Sequence, residues 1–103
     1  MSHINVPERS AQTKKKVKLK RPSRYKVLLI NDNYTTMEFV VSVLTNIFGK
    51  TPAEATDIMM KVHNEGRGVA GIYAYDIALT KKKKTESEAA RNGFPLKCTL
   101  EKE

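Results

Sequence analysis

The chain holds a single cysteine, Cys98, and only two histidines, His3 and His63. One thiol cannot close an internal disulfide, so no cross-link within the chain supports the fold. The alternation Leu96-Lys97-Cys98-Thr99-Leu100 reads Cys98 as a buried strand residue rather than a reactive thiol. With no zinc-type Cys/His spacing, no metal site and no cofactor are expected. Long apolar runs are also missing. The clean run Val27 to Ile30 falls far short of the roughly 20 residues that a membrane-spanning helix needs. Met1 to Ser10 contains Pro7, Glu8 and Arg9 but no apolar core, so no secretory signal is visible and a cytoplasmic protein is the expectation. Ser42 and Ser87 lack a G-x-S-x-G setting, and no glycine-rich phosphate loop or internal repeat is present. A hydrolase built on His63 and Glu38 would lack a nucleophile, a metal and oxyanion donors, so no turnover is expected.

What is present in excess is positive charge, a formal +8 over 103 residues. Its distribution decides what it means. Residues 1–24 hold five Lys and three Arg against Glu8 alone, a net +7, which leaves +1 for residues 25–103. A near-neutral domain carrying a basic arm differs from a basic nucleic-acid-binding domain. The arm includes Lys14-Lys15-Lys16, Lys18, Lys20 and Arg21 but no aromatic side chain for base stacking. It reads as a disordered, solvated extension over 1–24. A small RNA-associated protein using this arm is the rival reading, and a steep salt dependence of RNA binding would mark it.

Size and composition allow one compact domain over 25–103. Tyr25 to Ile30 has the β-branched and aromatic content of a first strand. Thr35 and Glu38 have capping-box spacing, which predicts a first helix from Thr35 to near Phe48, with Phe39, Val40, Val43, Leu44 and Ile47 on its buried face. Thr51-Pro52-Ala53-Glu54 is a second capping box with Pro at the first helical position, and Gly66 is a left-handed stop, so helix two spans Pro52 to Glu65. The short linker between the helices makes them an αα-hairpin. Gly68 to Tyr73 reads as a second strand. A third helix runs from Asp76 through the polar stretch Lys81 to Arg91, a solvated face on which Glu86 and Glu88 follow Lys82 and Lys84 by one turn. Leu96, Cys98 and Leu100 define a last, half-buried strand. The order β-α-α-β-α-β predicts an α+β fold, a small three-stranded sheet with three helices.

The junction Asn31-Asp32-Asn33-Tyr34-Thr35-Thr36 places hydrogen-bond acceptors where a strand ends beside an apolar-faced helix. Acceptors next to an apolar wall suit an amine that carries an apolar side chain. Taken singly, Asn31 and Asp32 also fit a plain turn, His63 a structural histidine, and Met37, Val40, Met59 and Val62 core positions. The residues alone leave both readings open.

The stretch Tyr25-Lys26-Val27-Leu28-Leu29-Ile30-Asn31-Asp32-Asn33-Tyr34-Thr35-Thr36-Met37-Glu38-Phe39-Val40 closely resembles the opening motif of the ClpS adaptor family. Met59-Met60-Lys61-Val62-His63-Asn64-Glu65-Gly66 resembles that family's M-x-x-V-H-x-x-G helix end. Pro95-Leu96-Lys97-Cys98-Thr99-Leu100-Glu101 resembles its closing strand. The resemblance covers 25–103 in colinear order. It implies a non-enzymatic adaptor that binds N-degron substrates beginning with Leu, Phe, Tyr or Trp and delivers them to a Clp AAA+ unfoldase and its peptidase. Asn31, Asp32 and His63 would then hold the substrate α-ammonium, with Asn33 beside them and Thr35 near the first peptide units. Met37, Val40, Met59, Val62 and Leu96 would line the side-chain pocket, Met37 acting as a gate against β-branched residues. Asp76 and Lys81 would dock on the N-terminal domain of a ClpA-like unfoldase, and the basic extension would take part in delivery. Two positions depart from the family pattern: Asn33 stands where many relatives have a second Asp, and Thr36 replaces a common Pro.

Overall fold

The computed structural model describes residues 22–103. The expectation of a disordered extension over 1–24 therefore lies almost wholly outside the described residues. Its last residue, Arg24, begins strand β1, Arg24–Ile30. Helices α1, Met37–Asn46, and α2, Pro52–Glu65, follow, then strand β2, Arg67–Ala74, helix α3, Tyr75–Arg91, and strand β3, Lys97–Lys102. The order β-α-α-β-α-β is the expected one. The sheet is antiparallel throughout, with spatial order β2-β1-β3.

Strand β1 is central because it is the most apolar, and Val27, Leu28 and Leu29 are all buried. Val27 and Leu29 share one face, and all three helices pack there, contributing Val40, Val43 and Leu44, Ala55, Met59 and Val62, and Ala78 and Ala89 to a single core with Cys98. Arg24 is fixed to the opposite terminus. Its guanidinium makes a bidentate pair with Glu103 at 2.7 Å to each oxygen, and its carbonyl accepts from the Glu103 N–H at 2.9 Å.

Register between β1 and β2 slips once: Val27 faces Gly71 whereas Leu28 faces Val69, so Ala70 is an extra residue that bulges β2. Beyond the bulge, Tyr73 folds back over Gly71. A Cβ placed on Gly71 would lie 2.6 Å from ring atoms of Tyr73, so any larger residue there would have to displace the ring. The Tyr73 ring also sits 6.4 Å from Phe48 at the end of the first helical segment.

Helix α2 has the predicted bounds, since its signals act together. Thr51 and Glu54 complete a reciprocal capping box, and Gly66 closes the helix at φ +92°. Helix α1 differs from expectation at both ends. Its N-cap is Thr36, whose hydroxyl accepts from the Phe39 N–H at 3.1 Å, and it ends at Asn46 with Ile47 as C-cap. The Thr35–Glu38 capping box does not form: the Thr35 backbone N–H, which the Glu38 carboxylate would have accepted, donates to Asp32 Oδ1 at 2.7 Å, and the Thr35 hydroxyl donates to Asp32 Oδ2.

The charged face of α3 does more than meet solvent. Lys81 Nζ donates to the Ile47 carbonyl at 2.8 Å and lies near the Phe48 and Tyr73 rings, binding α3 to the negative end of α1. Glu86 pairs with Lys82, as its spacing predicts, and also accepts the Cys98 N–H of β3 at 2.9 Å. Glu88 pairs with Arg91 rather than Lys84. The i,i+3 partner lies toward the helix C-terminus, where a cation is favoured.

Candidate functional site

Two hydrogen-bonded joints bring the site together. The first is local: Asp32 Oδ1 accepts the N–H groups of Tyr34 at 2.8 Å and Thr35 at 2.7 Å, while Oδ2 accepts the Thr35 hydroxyl. This Asx turn redirects the chain from β1 into α1. The second is long-range: the Asn31 N–H donates to the Gly66 carbonyl at 2.9 Å. It presses the end of β1 against the end of α2, the turn of helix that carries His63.

Between these joints lies a cavity of about 480 Å³, within the range of small-ligand sites. It is lined by the 31–36 turn, by Met37, Glu38 and Val40 of α1, and by Met59, Val62 and His63 of α2. The cavity is divided by chemistry. Val40, Met59 and Val62 are buried and form an apolar floor, with Met37 at its edge. Asn31, Asp32, Asn33, Thr35 and His63 supply polar atoms to the same lining.

Asp32 is the charged member of that set. Burial works against its carboxylate, but the hydrogen bonds from Thr35 and Tyr34 outweigh it and hold the acid below its ordinary value. Oδ1 already accepts twice, but Oδ2 accepts only the Thr35 hydroxyl and keeps a further lone pair, so the turn does not exhaust the carboxylate's capacity as an acceptor. The side chains of Asn31, Asn33 and His63 have no hydrogen-bond partner among the described residues. The arrangement can accept three N–H donors of a cation while an attached apolar group rests on the floor.

Of the residues singled out from the sequence, Asn31, Asp32, Asn33, Thr35, His63, Met37, Val40, Met59 and Val62 all line this one cavity. Leu96 does not: it is 2% exposed in the core, just ahead of β3. Asp76 is exposed at the start of α3, where its carboxylate accepts the Ile77 N–H, and Lys81 is engaged with Ile47 as described. Tyr34, Thr36 and Glu38 join the lining beyond expectation. Asp32 and Thr35 stand at Asx-turn spacing, and that signal moves the cap to Thr36 and releases Glu38 toward the cavity.

Among the described residues, no cluster of three or more His, Cys, Asp or Glu is placed to hold a metal, and no helix is long and apolar enough to cross a membrane.

Comparison with known proteins gives this geometry a family. The model of a family described as ATP-dependent Clp protease adaptor protein ClpS matches residues 20–99. An ATP-dependent Clp protease adapter protein ClpS of Lawsonia intracellularis is 57% identical over 84 residues, covering 82% of this chain and 77% of that protein. The protein of the same name from Clostridium acetobutylicum is 52% identical over 87 residues, covering 84% and 86%. Among solved structures, Agrobacterium tumefaciens ClpS2 bound to L-phenylalaninamide superposes with a TM-score of 0.78 at 41% identity, covering 81% of this chain and all of that one. The relatives are named as adaptors, which fits a non-enzymatic role. A family model matched along most of the sequence, and relatives that share half of its residues, show that this chain belongs to the ClpS family of ATP-dependent Clp protease adaptors.

Proposed function

We propose that the chain reads the N-terminal residue of proteins that begin with Leu, Phe, Tyr or Trp and delivers them to a Clp AAA+ unfoldase for degradation. The observation that carries this reading is the joining, in one 480 Å³ cavity, of free acceptors and an apolar floor. An N-terminal residue is the one place in a protein where an ammonium and an apolar side chain leave the same carbon. A 41% identical relative bound to L-phenylalaninamide supports it, since that ligand has a free amine, a phenyl side chain and a blocked carboxyl group.

In this reading the α-ammonium donates to Asn31, Asp32 and the imidazole of His63, with Asn33 beside them. Thr35 faces the first peptide units. Met37, Val40, Met59 and Val62 enclose the side chain, whose burial contributes roughly 1.5 to 3 kcal/mol. Millimolar binding alone requires about 4.1 kcal/mol, so the apolar half needs the polar half. Met37, at the mouth, disfavours branching at Cβ. Docking on the unfoldase uses the exposed start of α3, with Asp76 as its charged contact and Lys81 setting the position of that helix against α1.

The test is a fluorescence titration with matched peptides that begin Leu, Phe, Ile, Met and acetyl-Leu. Leu and Phe peptides bind best. Acetylation removes the charge and two donors, and it weakens binding by roughly a hundredfold, about 2.8 kcal/mol. Equal weak binding of all five peptides would refute the proposal.

A further inference from the structure

Three methionines fall within the described residues, and they differ in two independent respects. Met59 lines the cavity but is buried at 9% exposure. Met60 is 39% exposed but is not part of the cavity lining. Only Met37 is both exposed, at 41%, and part of the cavity wall. A thioether is oxidised where a peroxide can reach it, and the oxidised sulfur is polar and chiral where the thioether was apolar and adaptable.

We propose that Met37 is a reversible oxidation site through which peroxide lowers the affinity of the cavity for apolar N-terminal residues. The proposal rests on the reading of the cavity as an N-terminal-residue site. In the reaction the Sδ lone pair attacks one peroxide oxygen and the O–O bond breaks. A new S–O bond forms, and the second oxygen leaves as water with the remaining protons. Sulfur is oxidised by two electrons and the peroxide is reduced by two. A dithiol reductant acting through methionine sulfoxide reductase returns the thioether, with disulfide and water as products.

The consequence follows from position. A sulfoxide oxygen at Met37 must either be covered by the incoming side chain without a hydrogen-bond partner or hold water at the mouth of the apolar compartment. The other sulfur that is ordinarily reactive is removed from competition. Cys98 lies buried within the core, and burial together with the neighbouring Glu86 carboxylate pushes its thiol up to about 12, so the nucleophilic thiolate is scarce.

The experiment treats the full chain with hydrogen peroxide, maps sulfoxides by peptide mass spectrometry and titrates a Phe-initiated peptide before and after. Each variant is compared with its own untreated form. The expected result is a sulfoxide at Met37 with Met59 spared, and a loss of affinity of roughly tenfold, about 1.4 kcal/mol. Methionine sulfoxide reductase with a dithiol reverses that loss. Met37→Leu keeps its untreated affinity after peroxide, and Met60→Leu loses affinity as the parent does. Undiminished binding with Met37 oxidised overturns the proposal. So does an equal loss in Met37→Leu, or an unoxidised Met37 where Met60 has reacted. A parent protein that binds no Phe-initiated peptide before treatment overturns the cavity reading itself, and this inference with it.

Discussion

Asp32 carries two duties at the residue scale: its carboxylate folds the turn that builds the cavity wall and supplies a negative charge to the expected ammonium site. The hydrogen bonds from Thr35 and Tyr34 favour the charged form and hold it below the ordinary 3.8. The sign of the linkage follows. A depressed folded value means that the stability gained is complete above the unfolded value and is lost only as pH falls through the folded one, below about 4. Asp32 thus stays ionised throughout the range from pH 7 to 5. His63→Gln, whose amide oxygen also accepts, is expected to keep more affinity for Leu- and Phe-initiated peptides than His63→Ala in titrations at pH 7. Equal losses in the two variants would clear His63 of a role as acceptor. Asp32→Asn is expected to weaken binding at pH 7, 6 and 5 alike and to lower the unfolding free energy by about 1 kcal/mol, read from denaturant melts.

At the scale of elements, legibility in the sequence depended on whether the signals competed. Helix α2 was fully readable because Thr51, Pro52, Glu54 and Gly66 each act on a different atom of the same helix. Helix α1 was readable only to within one or two residues, because Thr35 and Thr36 both offer a hydroxyl and the choice was made by Asp32, upstream of both. The site shows the same division. Its polar and apolar members were legible, since a strand end, a helix start and a helix end had to meet. Glu38 escaped because its cap partner was already taken, and Leu96 went to the core because the strand it precedes pairs with β1 rather than bordering the cavity. The least legible feature is the pairing of Gly71 with Tyr73, for no periodicity announces a ring folded along its own strand. Gly71→Ala is expected to destabilise the domain by about 1 to 3 kcal/mol through overpacking. In a Tyr73→Val background the same substitution is expected to cost less than half as much, because the ring that it strikes is gone. Thermal or denaturant melts of the four proteins check this, and an additive cycle would mean that Gly71 serves something other than the ring.

On the scale of the whole molecule, a protein of net +8 is proposed to bind a cation, an unfavourable pairing unless charge is placed with care. Most of that excess lies in residues 1–24, whereas residues 25–103 are close to neutral and place Asp32 and Glu38 on the cavity lining. Glu38 has no cationic partner among the described residues, so its field is spent on the cavity. Asn33 is exposed on the same rim, where a carboxylate would add a further negative charge beside the expected ammonium. Two unit charges in water at about 4 Å attract by about 1 kcal/mol, and at somewhat greater separation by less. Asn33→Asp is therefore expected to tighten binding of Leu- and Phe-initiated peptides by roughly threefold at 0.01 M salt, where the screening length is about 30 Å. At 1 M salt that length falls to about 3 Å, and the gain is expected to vanish. The acetyl-Leu peptide, which has no ammonium, should gain nothing at either salt concentration. A gain that persists at high salt, or that extends to the acetylated peptide, would mean that the new carboxylate acts by reshaping the turn. An unchanged affinity at low salt would place position 33 outside electrostatic reach of the bound ammonium and leave Asp32 to meet it alone.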